Sequence, residues 1–151
     1  MKQILLTTTL LLISFIDLKA QSYEYKVITS VESIVPMGIG RSRIISSEED
    51  KDYNNFTSER TAENKKQNKS KRSSIKINNF EETKLLNFFS IAGINFKNIA
   101  SNDAIISSKI NTMTNNGWDL AFVVSGVESD SGKDDGQGIY ITRYIFKRLR
   151  Q

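Results

Sequence analysis

Two stretches patterned as strands, Trp118–Ser125 and Gly138–Arg148, lie near the end of the chain with only the polar, glycine-bearing Val127–Gln137 between them. That spacing predicts an antiparallel hairpin with a long tip. In the first stretch Trp118, Leu120, Phe122 and Val124 alternate with Ala121 and Val123, so both faces are apolar and a well-covered strand is expected. The second sets Ile139, Ile141 and Ile145 against Tyr140, Thr142, Tyr144 and Phe146. Before the hairpin, Ile106, Ile110 and Met113 recur at helical spacing, joined by Ile105. Ser101 or Asn102 is placed to cap that helix, Asp103 suits its first turn, and Asn116-Gly117 suits its end, so the pattern predicts a helix over 102–115. Near the start, Tyr23–Val31 alternates with Tyr, Tyr, Val, Thr and Val at odd positions, the signature of a half-buried strand. The fold class follows. It is α+β, a small antiparallel sheet in the order strand–helix–strand–strand, packed on one or two helices.

The stretch between first strand and helix is harder to read. Pro36, Gly38 and Gly40 end the first strand, and Arg41–Ile45 suggests a short second one. From Ser46 to Ser74 the apolar residues thin to Tyr53, Phe56 and Ala62, too few to offset the entropy of ordering. Residues 46–74 therefore read as a long, mobile polar insertion in a single domain spanning 21–151. Asn79-Phe80-Glu81-Glu82 looks like a helix start, with Asn at the cap and acids at the dipole's positive end. Leu85–Phe89 fits a helix or a strand, interrupted in either case by Gly93.

The first twenty residues carry an address. Lys2 opens a basic start, Ile4–Ile16 is mostly apolar, and Ala20 offers a small residue before Gln21. This is the layout of a secretory signal peptide. The apolar stretch is broken by Thr7-Thr8-Thr9, closed by Asp17, and shorter than the about 20 residues a bilayer crossing needs. Cleavage near Ala20 would leave an exported chain, periplasmic or secreted, with no membrane span.

Tyr23-Glu24-Tyr25-Lys26-Val27-Ile28, Asn116-Gly117-Trp118-Asp119-Leu120 and Tyr144-Ile145-Phe146-Lys147-Arg148, taken in order, resemble a family of small bacterial domains of unknown function. Its members read roughly YEYKVV, then EGWELV after a helix, then YIFKR. The resemblance implies a strand–helix–strand–strand unit of bacterial origin and brings no catalytic residues. Residues 46–74 and 85–100 depart from the short family pattern. Packing alone accounts for the motifs: Gly117 stops the helix, Trp118 and Leu120 fill the core, and Tyr25, Val27 and Phe146 face it across the sheet.

Composition removes much chemistry. The chain has no Cys and no His, so disulfides, thiolate nucleophiles, His-ligated zinc and Ser-His-Asp triads are excluded. Glu128–Gly136 holds four carboxylates, but Asp135 stands where a calcium-binding EF-hand loop requires Gly. A solvated hairpin tip explains that composition. Gly126–Lys133 misses the phosphate-loop spacing and its Ser or Thr. Asp119, Glu128, Asp130, Asp134 and Asp135 could serve a carboxylate-dependent hydrolase, though nothing in the sequence sets two of their pKa values apart. No catalytic residue, metal or cofactor is expected.

Charge is uneven within a net balance of +4. Arg60, Lys65, Lys66, Lys69, Lys71, Arg72 and Lys76 face one acid, Glu63, after the acidic block Glu48, Glu49, Asp50 and Asp52. The basic run could contact anionic polymers, but it lacks interleaved aromatics for base stacking, and no nucleic-acid partner is expected. The expected function is a non-catalytic interaction module of the periplasm or cell envelope, presenting Tyr140 and Tyr144 to a protein or an anionic envelope component. The alternative is a polyanion binder working through 60–76.

Overall fold

The computed structural model describes residues 21–33, 41–90, 92–128 and 138–150. The chain is α+β, as its patterning predicts. Strand β1 (Tyr23–Ser33) runs through the middle of an antiparallel sheet and pairs along its whole length with β7 (Ile139–Leu149). On its other side lies β2 (Arg43–Ser47), then β3 (Phe80–Lys84), while β6 (Asp119–Glu128) follows β7. The order is β3-β2-β1-β7-β6. A small hairpin of β4 (Phe89–Ser90) and β5 (Gly93–Ile94) precedes the long helix α2 (Phe96–Asn115), and α1 is the single turn Arg72–Ile75.

One helix covers one face of the sheet. Ile28, Ile44, Leu85, Met113 and Phe146 form the buried apolar core, with Ile105, Ile106, Ile110, Trp118 and Tyr144 packed against it. The helical spacing of Ile106, Ile110 and Met113 thus aims where the sequence places it. The helix ends as Asn116-Gly117 predicts: Gly117 takes φ +80°, its N–H reaches the Thr114 carbonyl at 3.0 Å, and the Trp118 N–H reaches that of Met113 at 3.1 Å. These paired bonds turn the chain back and deliver Trp118 to the core edge.

Several expectations are corrected. Asn79–Glu82 does not start a helix; it enters β3, where Glu82 pairs with Arg43 at 2.7 Å and Glu81 with Lys109 of α2. The acids find cations across the sheet instead of a helix dipole. The real helix begins earlier than 102, at Phe96, because Asn95 caps it by accepting from the Asn98 N–H at 3.2 Å. Leu85–Phe89 is neither a full helix nor a full strand: Leu85 follows β3, and only Phe89 enters the small hairpin.

The largest correction concerns the sheet's two faces. Tyr25 and Val27 do not face the core; they are 60% and 45% exposed, while Ile28, Ser30 and Glu32 lie under the helix. Register is the cause. Phe146 stands opposite Lys26 and Tyr144 opposite Ile28, so the even positions of β1 share the covered face with the largest core side chain. Strand-favouring residues suit either side of a pleated sheet, and here most sit on the bare one. Leu120 is likewise 40% exposed, and β6 is an edge strand rather than a covered one.

The polar insertion starts later than residue 46, since Ser46 is buried in β2. No residue from 48 to 79 is buried. The loop is held by its own polar groups. Asp52 caps the turn Tyr53–Phe56, Asn68 Nδ2 donates to the carbonyls of Asn55 and Thr57, and Glu49 accepts from the Asn78 and Asn79 N–H groups at 3.0 and 2.8 Å. The Asn79 and then Asn78 amides hold the Glu49 carboxyl below its ordinary pKa.

Candidate functional site

Beneath the N-terminal half of α2 the covered face turns polar. Asn102, fully buried, accepts from the Leu86 N–H at 2.7 Å and donates from Nδ2 to the Leu86 carbonyl at 2.7 Å and Glu32 Oε2 at 3.0 Å. It therefore ties the helix to the segment after β3 and to the end of β1. Ser125 and Thr142 share a hydrogen bond at 3.0 Å on the same face, and Ser42 Oγ accepts from the Ser33 N–H at 2.9 Å. Burial pushes the Glu32 carboxyl above its ordinary pKa; the Asn102 hydrogen bond opposes this and the nearby Asp103 charge adds to it. Burial likewise raises Tyr144, with Glu32 and Asp103 adding to the shift and the Ser30 hydroxyl opposing it.

A carboxyl raised in the folded state binds its proton more tightly there than in the unfolded chain, so stability is fullest below the ordinary carboxylate pKa and falls as pH rises through the shifted one. Glu32→Gln keeps an acceptor for Asn102 and removes the charge. Its expected result is a higher melting temperature than wild type at pH 7 and equal melting near pH 4, read by thermal unfolding at both. A lower melting temperature at pH 7 would show that the charge itself holds the seam together.

This seam offers no cleft. The gap lined by Ile28, Ile44, Ile106, Lys109, Ile110, Tyr144 and Phe146 holds about 10 Å³, the scale of one water at most. Nor do the two described carboxylates of those weighed for hydrolysis converge. Asp119 and Glu128 occupy opposite ends of β6, roughly 30 Å apart at about 3.4 Å per residue, too far to share a glycosidic bond. Asp130, Asp134 and Asp135 lie outside the described residues, as do the EF-hand and phosphate-loop readings, residues 1–20, and Pro36, Gly38 and Gly40. Among the described residues no group of three or more acids is placed to hold a metal ion, and no helix is long and apolar enough to cross a membrane.

At one end of the sheet the segments Tyr23–Ile28, Asn116–Leu120 and Tyr144–Arg148 meet in a single side chain. Arg148 bonds Glu24 through Nε and Nη2 at 2.7 Å each, lies 4.4 Å from the centre of the Trp118 ring, and reaches the Asn116 carbonyl at 3.4 Å. Strand β1, the helix end and β7 are thereby joined, which gives that constellation a structural reason.

The bare face is the most conspicuous surface. Pairing aligns Val27, Ile145 and Phe122 across β1, β7 and β6, with Thr29, Arg143 and Val124 in the adjacent row. Tyr25, Phe80, Phe122 and Val124 all stand more than half exposed. An open groove of about 370 Å³ runs beside this band, lined by Val27, Thr29, Ile45, Ser46, Ser47, Ile77 and Phe80.

The residues singled out from sequence fall in three places. Tyr144 packs against the core, whereas Tyr140 is 39% exposed, so the two do not form one exposed aromatic face. Both point to the helix side, where Tyr144 follows Ile28 beneath α2 and Tyr140 lies towards the uncovered end. Arg60, Lys65, Lys66, Lys69, Lys71 and Arg72 are exposed along the insertion, and none joins an ion pair among the described residues. Sequence reasoning missed Glu32 and Asn102. Asn102 lies four residues before Ile106 on the apolar stripe, a signal for a buried amide that its fitness as a cap obscured. No protein family, curated protein or solved structure matches this chain.

Proposed function

We propose that this protein is a non-catalytic interaction module that binds other chains through the side of the sheet α2 leaves open. The observation that carries the reading is the bare face up to its edge at β6: Tyr25, Phe80, Phe122 and Val124 on that face are each more than half exposed. Contiguous exposed apolar surface on a small domain marks contact sites. The absence of Cys and His and the separation of Asp119 from Glu128 favour binding over catalysis. Export to the periplasm or cell envelope remains part of the proposal and rests on the patterning of residues 1–20.

The test compares native particle size in an envelope extract for wild type and for Phe122→Ser combined with Tyr25→Ser. The expected result is a wild-type species larger than one chain and a folded variant at single-chain size. Equal, single-chain sizes would end the interaction reading. A second reading, polyanion binding through 60–76, is favoured by the six cations of the insertion that join no ion pair among the described residues. It requires retention on heparin that falls steeply with salt.

A further inference from the structure

The two edges of the sheet are built differently. Edge β3 reads Phe80-Glu81-Glu82-Thr83-Lys84, and such charges discourage another strand from adding on. Edge β6 carries no charge and no proline from Leu120 to Val127. An edge strand presents a row of unpaired N–H and C=O groups to its free side. Its side chains are also apolar on both faces: Phe122 and Val124 on the bare one, Val123 and Val127 on the helix side. That composition belongs to an interior strand.

We propose that β6 is completed by β6 of a second copy, paired antiparallel about a two-fold axis through Val124. This rests on the interaction reading above and names its partner. The strand is complementary to itself in this register. Phe122 of one copy falls opposite Gly126 of the other, and a side-chain carbon built at Gly126 meets nothing within 4 Å, which leaves room for the ring. Cross-strand aromatic–glycine pairs are favourable for this reason. Val123 falls opposite Ser125 and Val124 opposite its own copy, and the register shift between Leu120 and Phe122 bounds this regular ladder at Phe122 and Gly126. A specific interface needs about 1,000 Å² of buried surface, and the exposed Phe122, Val123, Val124 and Val127 of two β6 strands lie at this edge to be covered. The axis stands perpendicular to the sheet. It would join two five-stranded sheets edge to edge and leave their bare faces on the same side.

The absence of Cys makes the test clean, because a single introduced thiol can pair only with its own copy. Under mild oxidation Val124→Cys is expected to cross-link into a covalent dimer, while Thr83→Cys on edge β3 stays a single chain. Residues directly opposed in an antiparallel pair lie within disulfide reach. In parallel, sedimentation of the purified wild type is expected to give twice the chain mass, reduced to one chain by Val124→Lys with its circular dichroism unchanged. A wild type at single-chain mass up to about 100 µM overturns the pairing, since its Kd would then be too weak for a specific interface. So does cross-linking as strong at Thr83 as at Val124. If purified protein is single while the extract species stays large, self-pairing fails and the interaction reading stands; if both are single, both fail.

Discussion

Phe146→Ala is expected to destabilise the protein by about 4 kcal/mol, read as a shift of the urea midpoint at unchanged slope. Phe146 is fully buried in β7, opposite Lys26 on one side and Leu120 on the other. Besides it, the buried apolar core among the described residues is Ile28, Ile44, Leu85 and Met113. Truncating the largest opens a cavity under α2 that strands hydrogen-bonded on both sides cannot collapse to fill. Against a total stability of about 5–15 kcal/mol, such a loss leaves a marginal fold. A cost below about 1.5 kcal/mol would place the stabilising contacts elsewhere.

Asn102→Ala should cost about 3 kcal/mol or more, through polar groups instead of volume. The amide satisfies the Leu86 N–H, the Leu86 carbonyl and Glu32 Oε2 together. Removing it strands a backbone donor, a backbone acceptor and a buried carboxylate, each of which keeps its desolvation cost. Asn102→Ala in the Glu32→Gln background should therefore cost less than in wild type, because the charge left stranded is gone. Chemical denaturation of the four proteins gives the coupling directly. Additive costs would mean that Asn102 acts on the Leu86 backbone alone.

Period-two alternation revealed that β1, β6 and β7 exist and that the last two form a hairpin, and helical spacing revealed the stripe of α2. What alternation cannot show is which side a helix will cover. In β1 both sides carry plausible core residues, Tyr25 and Val27 against Ile28, and only pairing with Phe146 decides between them. Nor could the sequence distinguish β3 from a helix start, since Glu81 and Glu82 suit a helix dipole as well as they suit Arg43 and Lys109 across the sheet. Asn102 was hidden by the same ambiguity, because an Asn ahead of an apolar stripe fits a cap and a buried clamp equally.

The most informative misreading is β6. Apolar residues on both of its faces predict cover, and the described residues of the single chain supply little. The strand's composition is that of an interior strand, and a partner is what reconciles composition with position.

Hydrogen exchange of the β6 backbone at low and high protein concentration tests that claim most directly. The amides of Leu120–Val127 that point away from β7 should be among the fastest-exchanging in the sheet when dilute, and should become protected as concentration rises, with those of β3 unchanged. Exchange in β6 that is independent of concentration, and untouched by addition of envelope extract, would contradict the account.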